Sequence, residues 1–279
     1  QALNIAKEFN LGDPVLIATG EEWRNPNLSL SPKNDYILPL LFPAIPKLPN
    51  LEDWEQISLE QLRAWDHAPS MARLLKERTR SLSLTTSGSE IGEFHRNLLK
   101  SIERGITESE VLASLTINPA KICRVNQFCG TLEKGKLANF FMINGDTYFT
   151  KDPEMHSTWI QGRPFLHYPQ EKTRDSNSSK DQRMDIKIAA KFPTQFKKVI
   201  QRPSSVLFSG FKLWTCEEKR VLSNQDLLIE NGKISKIGPN LKAKLPDGCK
   251  IIEGKGRHLT PGIIDCHSHA MIIGRVNES

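Results

Sequence analysis

Apolar residues along this chain fall into two patterns that change over at a polar stretch, Glu171-Lys-Thr-Arg-Asp-Ser-Asn-Ser-Ser-Lys-Asp-Gln-Arg183. Before it, short apolar runs alternate with segments of helical spacing. Val15-Leu-Ile-Ala18, after Asp13-Pro14, suits a buried strand. Tyr36 to Phe42 is a second strand, made irregular by Pro39, and Ser81-Leu-Ser-Leu-Thr-Thr86 is a third. Helices are predicted between and after them. Ser58 with Gln61 three residues on forms a capping box ahead of Leu59–Trp65, and Ala72–Glu77 continues the helical spacing. Ile91–Ile102 places Phe94, Leu98, Leu99 and Ile102 on one face and ends at Gly105. Thr107-Glu-Ser-Glu110 caps a further helix carrying Val111, Leu112 and Leu115, with a stop expected at Asn118-Pro119. Strands alternating with helices predict parallel α/β units.

Beyond the polar stretch the period shortens to that of strands. Val206–Trp214, Asp226–Gly238 and Lys250–Gly256 cluster or alternate their apolar positions, and Asn231-Gly232 is a two-residue hairpin turn. The last pattern is Leu259-Thr-Pro-Gly-Ile-Ile-Asp-Cys-His-Ser-His269, a turn at Pro261-Gly262 followed by a short apolar strand. Residues two apart on a strand share a face. His267 and His269 therefore project together, a geometry suited to gripping a metal ion.

Composition narrows the function classes. The 279 residues allow one or two domains with a sizeable core. The net charge of +6 is spread among acids, which gives an ordinary solvated surface rather than a nucleic-acid footprint. No run approaches the ~20 apolar residues of a membrane span. Cys123, Cys129, Cys216, Cys249 and Cys266 form no Cys-x-x-Cys and read as scattered thiols rather than a disulfide framework or zinc knuckle. The compartment is not legible.

Residues 259–269 resemble the opening strand of the catalytic barrel in the amidohydrolase superfamily, the imidazolonepropionase-like metal-dependent hydrolases, and 205–256 resemble the small β-sandwich that precedes it. The resemblance implies a divalent metal, zinc, held by His267 and His269 with further ligands from later strands. It also implies a small-molecule substrate and a catalytic strand-eight aspartate lying beyond Ser279, with none within the chain. Asp265, two residues before His267 on the same strand face, is expected to hydrogen-bond around the site rather than ligate the metal. Cys266 and Ser268 are assigned to packing.

The part before the polar stretch resembles the end of the same kind of protein. The runs that carry this are Gly105–Lys121, with Thr116-Ile-Asn-Pro-Ala-Lys121, and Gly130-Thr-Leu-Glu-Lys-Gly-Lys-Leu-Ala-Asn139, with a hairpin at Lys134-Gly135. Phe140–Ile143 and Ser157–Arg163 resemble the family's closing strands. A tail thus precedes a head. The expected fold is α/β. Residues 1–125 form the C-terminal half of a partial TIM barrel, 126–168 returning sandwich strands, 169–204 a linker, 205–258 a second sandwich and 259–279 a first barrel strand.

The simplest account is a junction fragment of a tandem protein whose two units associate, and a circularly permuted enzyme is the alternative. The first unit reads as non-catalytic. No histidine precedes His67, and Ser87 stands where the aspartate would align. His67 and His95 read as packing or surface residues, while Glu90 and Glu93 suit a helix N-terminus. The head-to-tail wording also predicts that strands near 138–144 and 157–167 pair with strands of 205–260. The competing function is an inactive scaffold in which His267 and His269 are relics.

Overall fold

The computed structural model describes residues 2–25, 30, 32–44, 57–89, 91–167, 202–217 and 221–267. Helix α1 (Ala2–Glu8) leads into a parallel sheet of three strands, β1 (Val15–Ile17), β2 (Asp35–Pro39) and β3 (Ser81–Thr85), in that order. Asp35 stands opposite Ser81 and Pro39 opposite Thr85. The ladder ends where Pro39 brings no further N–H.

Helix α2 (Leu59–His67) starts on the predicted capping box: Gln61 N donates to Ser58 Oγ at 3.2 Å and Ser58 N to Gln61 Oε1 at 2.9 Å. A 3-10 turn holding Pro69 separates it from α3 (Met71–Arg78). Helix α4 (Ile91–Glu103) buries Phe94 and Leu98 and ends at Gly105, whose φ of 105° a side chain would resist. Helix α5 (Glu108–Leu115) carries the second capping box, Thr107 with Glu110.

The predicted helix stop at Asn118-Pro119 is one turn late. The break falls at Thr116 (φ −132°, ψ −83°), and α6 (Ile117–Ile122) runs through the proline. Pro119 lies in its first turn, where the missing N–H has no helical partner to lose.

Leu38, Leu40, Met71, Leu75, Leu82, Leu84, Leu98, Val111 and Leu115 close a core between the parallel sheet and these helices. Trp214, from beyond the linker, completes it.

The second sheet draws strands from both sides of the polar stretch. They are β4 (Phe140–Ile143), β5 (Met155–Ile160), β6 (Arg163–Leu166), β7 (Ser205–Trp214), β8 (Val221–Glu230), β9 (Lys233–Gly238), β10 (Lys250–Glu253) and β11 (His258–Pro261). The order is β6-β5-β4-β11-β7-β8-β9, with β10 parallel to β7. Strand β11 is the joint, antiparallel to β4 and parallel to β7. The predicted pairing across the linker is present for the strand near 138–144, whereas β5 and β6 reach the 205–260 strands only through β4. Leu137 bridges Lys233, and Phe140, Trp159, Phe208 and Phe211 pack as one aromatic cluster with centroid separations of 4.9–5.8 Å. The Asn231-Gly232 turn joins β8 to β9 as expected, both residues at positive φ.

Two expectations about strands change. The run Val15–Ala18, expected to form a buried strand, gives β1 at one end of the described parallel sheet, with Val15 and Ile17 exposed. The apolar strand predicted after Pro261-Gly262 is not regular: β11 lies before that turn, and 262–267 has no ladder among the described residues. Its backbone groups go elsewhere. Gly262 N donates to Asn139 O at 3.1 Å and Ile264 N to Leu115 O at 2.8 Å. The linker as far as 201, and Ser268 onward, including His269 and the expected substrate-loop residues Asn277-Glu278, lie outside the described residues.

Candidate functional site

The segment Ile264–His267 ends against the carboxyl end of β3. Thr86 donates twice to one oxygen of Asp265, from its backbone N at 3.0 Å and its hydroxyl at 2.6 Å. The other carboxylate oxygen accepts the His267 N–H at 3.0 Å. Thr85 donates its hydroxyl to the His267 carbonyl at 2.9 Å and accepts the Ser87 N–H at 3.1 Å.

The sequence explains this arrangement locally. Two adjacent threonines at the end of a strand leave hydroxyls and a backbone N–H beyond the last ladder bond, and a carboxylate is the acceptor that satisfies them best. Burial pushes the Asp265 carboxyl up, but the bonds from Thr86 and from the His267 N–H outweigh it and hold the group below its usual range.

Of the sequence-predicted site residues, the structure places Asp265 and His267 together on this short turn. His269 falls outside the described residues. Cys266, between them, is half-buried, and burial pushes its thiol up to about 11. His67 and His95, in residues 1–125, have the packing roles expected of them. His67 stacks on Trp23 at 5.0 Å, and His95 bonds the Thr150 carbonyl at 2.7 Å through Nε2 and meets Tyr148 edge-on. Glu93 lies in the first turn of α4. Glu90 is outside the described residues.

The sequence reading missed Thr85 and Thr86. The run Leu84-Thr-Thr-Ser-Gly88 drew attention only for the serine at its fourth position. The usable signal was a pair of adjacent hydroxyls at a strand end, Thr85 and Thr86.

The donor chemistry gives a plain answer for a metal. Among the described residues no group of three His, Cys, Asp or Glu side chains could hold an ion. Asp265 already accepts three hydrogen bonds, and Ser87 is a poor zinc ligand. The described residues alone do not make a metal site.

A cleft of about 290 Å³ lined by Lys76, Arg80, Ser81, Trp214 and Cys216 lies at the amino end of β3, the opposite end of that strand from Thr86. Its lining includes none of the predicted site residues. Among the described residues no helix is long and apolar enough to cross a membrane.

The amidohydrolase family profile matches residues 58–165, from the α2 cap to the end of β6. An adenine deaminase from Paracoccus denitrificans is 27% identical over 67 residues, 24% of this chain and 11% of that protein. A dihydroorotase from Mycobacterium tuberculosis is 38% identical over 71 residues, 25% and 15% of the two chains. An imidazolonepropionase from Idiomarina loihiensis is 37% identical over 59 residues, 21% and 14% of the two. A solved amidohydrolase from Thermotoga maritima covers 60% of this chain and 40% of that one at 23% identity, with a TM-score of 0.46. Residues 58–165 are thus similar to the amidohydrolase family. The chain's matched parts span only 11–15% of the length of these curated relatives.

Proposed function

We propose that this chain is part of a metal-dependent hydrolase of non-peptide carbon–nitrogen bonds, of the cyclic amide or amidine type. The tail-like part scaffolds the metal-binding segment of the head-like part. Residues 1–125 act as a partial barrel without catalytic groups of their own, and 205–258 with 126–168 as its sandwich. His267 and His269 are the metal ligands, Asp265 is their support, and the remaining ligands and the catalytic aspartate come from polypeptide outside residues 1–279. The substrate is a small molecule, as for the relatives named adenine deaminase, dihydroorotase and imidazolonepropionase.

The observation that carries this reading is the seating of the Asp265–His267 turn on the carboxyl end of β3. In parallel α/β sheets that end of the strands is where ligands and catalytic groups gather. Metal analysis of the longest native polypeptide, with hydrolysis assays on cyclic amides and amidines, tests it. The expected result is stoichiometric divalent metal and turnover, both lost in His267→Ala. Absence of metal and turnover in that polypeptide would overturn the proposal.

A second reading, an inactive scaffold, draws on Ser87 and on the lack of a complete ligand set among the described residues. It predicts no metal in any length of the chain.

A further inference from the structure

We infer that Thr86, acting through Asp265, is a positioning residue for His267, so that the part of the chain before the linker sets the geometry of the histidine that follows it. Both oxygens of Asp265 are engaged. Thr86 holds one with two donors, at 3.0 and 2.6 Å, and the His267 N–H takes the other at 3.0 Å. The carboxylate is thereby fixed in position and in plane. His267 is gripped at its other backbone group as well, since its carbonyl accepts the Thr85 hydroxyl at 2.9 Å.

With N–H and C=O both tied, the Cα–Cβ direction of His267 is set by two neighbouring residues of β3's end. An irregular segment lacks a strand ladder to do this. Farther back, its backbone is anchored at Ile264 and Gly262. Charge-assisted bonds of this length are the stronger kind, and a carboxylate bridging two backbones transmits position rather than merely filling space.

The arrangement also assigns Asp265 its role. A carboxylate holding three donors keeps this geometry only while it stays in place. Recruiting it as a metal ligand or a proton acceptor would release the segment it supports. Thr86 is equally specific, because valine, its isostere, keeps the backbone donor and the volume but removes the hydroxyl.

The positioning itself stands apart from the metal reading, and only its consequence for metal affinity rests on that proposal. The experiment separates the two. Thr86→Val, Thr86→Ser, Asp265→Asn and the Val/Asn double variant are made in the full native polypeptide. Each is examined by amide hydrogen exchange at His267 and by titration with cobalt(II), followed by its visible absorption.

Thr86→Val is expected to speed exchange at the His267 amide about tenfold and to weaken and shift the cobalt spectrum, while Thr86→Ser restores both. Asp265→Asn should lose at least as much as Thr86→Val, and the double variant should add little to Asp265→Asn, because both changes weaken one bridge. Unchanged exchange in Thr86→Val overturns the inference. So does equal loss in the Val and Ser variants, or full additivity in the double variant. If the native polypeptide takes up no cobalt, the proposed function fails, and the exchange data alone still decide for or against the positioning role. Should Thr86→Val not fold, Thr86→Ser and Asp265→Asn carry the comparison.

Discussion

Gly162 and Gly232, from hairpin turns on opposite sides of the linker, meet so closely that a Cβ on Gly162 would lie 2.9 Å from the Gly232 Cα. Both sit at positive φ, 74° and 82°, and a Cβ on Gly232 would lie 2.6 Å from the Gln161 carbonyl oxygen. Gly232→Ala combines left-handed strain with a backbone clash and is expected to cost about 2–4 kcal/mol. Gly145→Ala, at φ 87° with open space around it, carries only the strain and should cost about 1–2 kcal/mol. Urea unfolding of the two variants checks this, and equal losses would show that the turn-to-turn contact contributes nothing.

Phe208 is fully buried and touches Phe140 and Trp159 from before the linker as well as Phe211 beside it. Phe208→Ala should lower stability by about 3–5 kcal/mol. A protease cutting the linker should then let the two parts separate on a sizing column. Continued co-elution would mean that the ladder between β4 and β11 suffices.

Asp265 has its pKa held below the unfolded value of about 3.9. Its stabilisation is therefore complete above that value and is lost as pH falls through the folded one. As the pH falls below about 4, the 262–267 segment should become sensitive to an acid-active protease. Asp265→Asn should show that sensitivity at neutral pH with no further change on acidification.

His258 is buried, with Nδ1 donating to the Gly145 carbonyl at 2.7 Å. Burial pushes its pKa down by more than that bond raises it. The neutral ring is the folded form, so its contribution is complete above the unfolded pKa near 6.5 and is lost as pH falls through the folded value. Thermal unfolding at pH 7.5 and pH 5.5 should show a loss of stability that His258→Leu does not share. An equal slope in both proteins would remove His258 as the cause.

Burial pushes the Cys216 thiol up to about 11, and the same holds for Cys266, whereas Cys123 is exposed. Iodoacetamide at pH 8 should label Cys123 first and leave Cys216 until the chain is unfolded, as mass spectrometry of peptides would report. Early modification of Cys216 would show that the end of β7 opens readily.

Much of this fold is legible in the sequence because its signals are local. Ser58 with Gln61 and Thr107 with Glu110 announce helix starts, Asn231-Gly232 announces a hairpin, and the apolar runs of β3 and β7 announce buried strands, whereas the same kind of run in β1 leaves Val15 and Ile17 exposed. The misplaced helix stop shows where a local rule is ambiguous, since a proline ends one helix and opens the next with equal ease. The site was half legible. His267 and Asp265 stand out by spacing, but the partners of Asp265 lie far back along the chain, and a strand-end Thr-Thr pair has no intrinsic mark. The loss of strand structure at 262–267 was hidden for the same reason, because whether an apolar run forms a ladder depends on what lies beside it.

The place of β11 between β4 and β7 has a consequence for biosynthesis. Strand β4 leaves the ribosome long before its partner, and the linker together with β7 to β10 must emerge before β11 can cover it. Until then the nascent chain carries an open, apolar strand edge. The sheet closes late, through pairings distant in sequence, and its assembly should be slow and more dependent on chaperones than that of the helical part made before it.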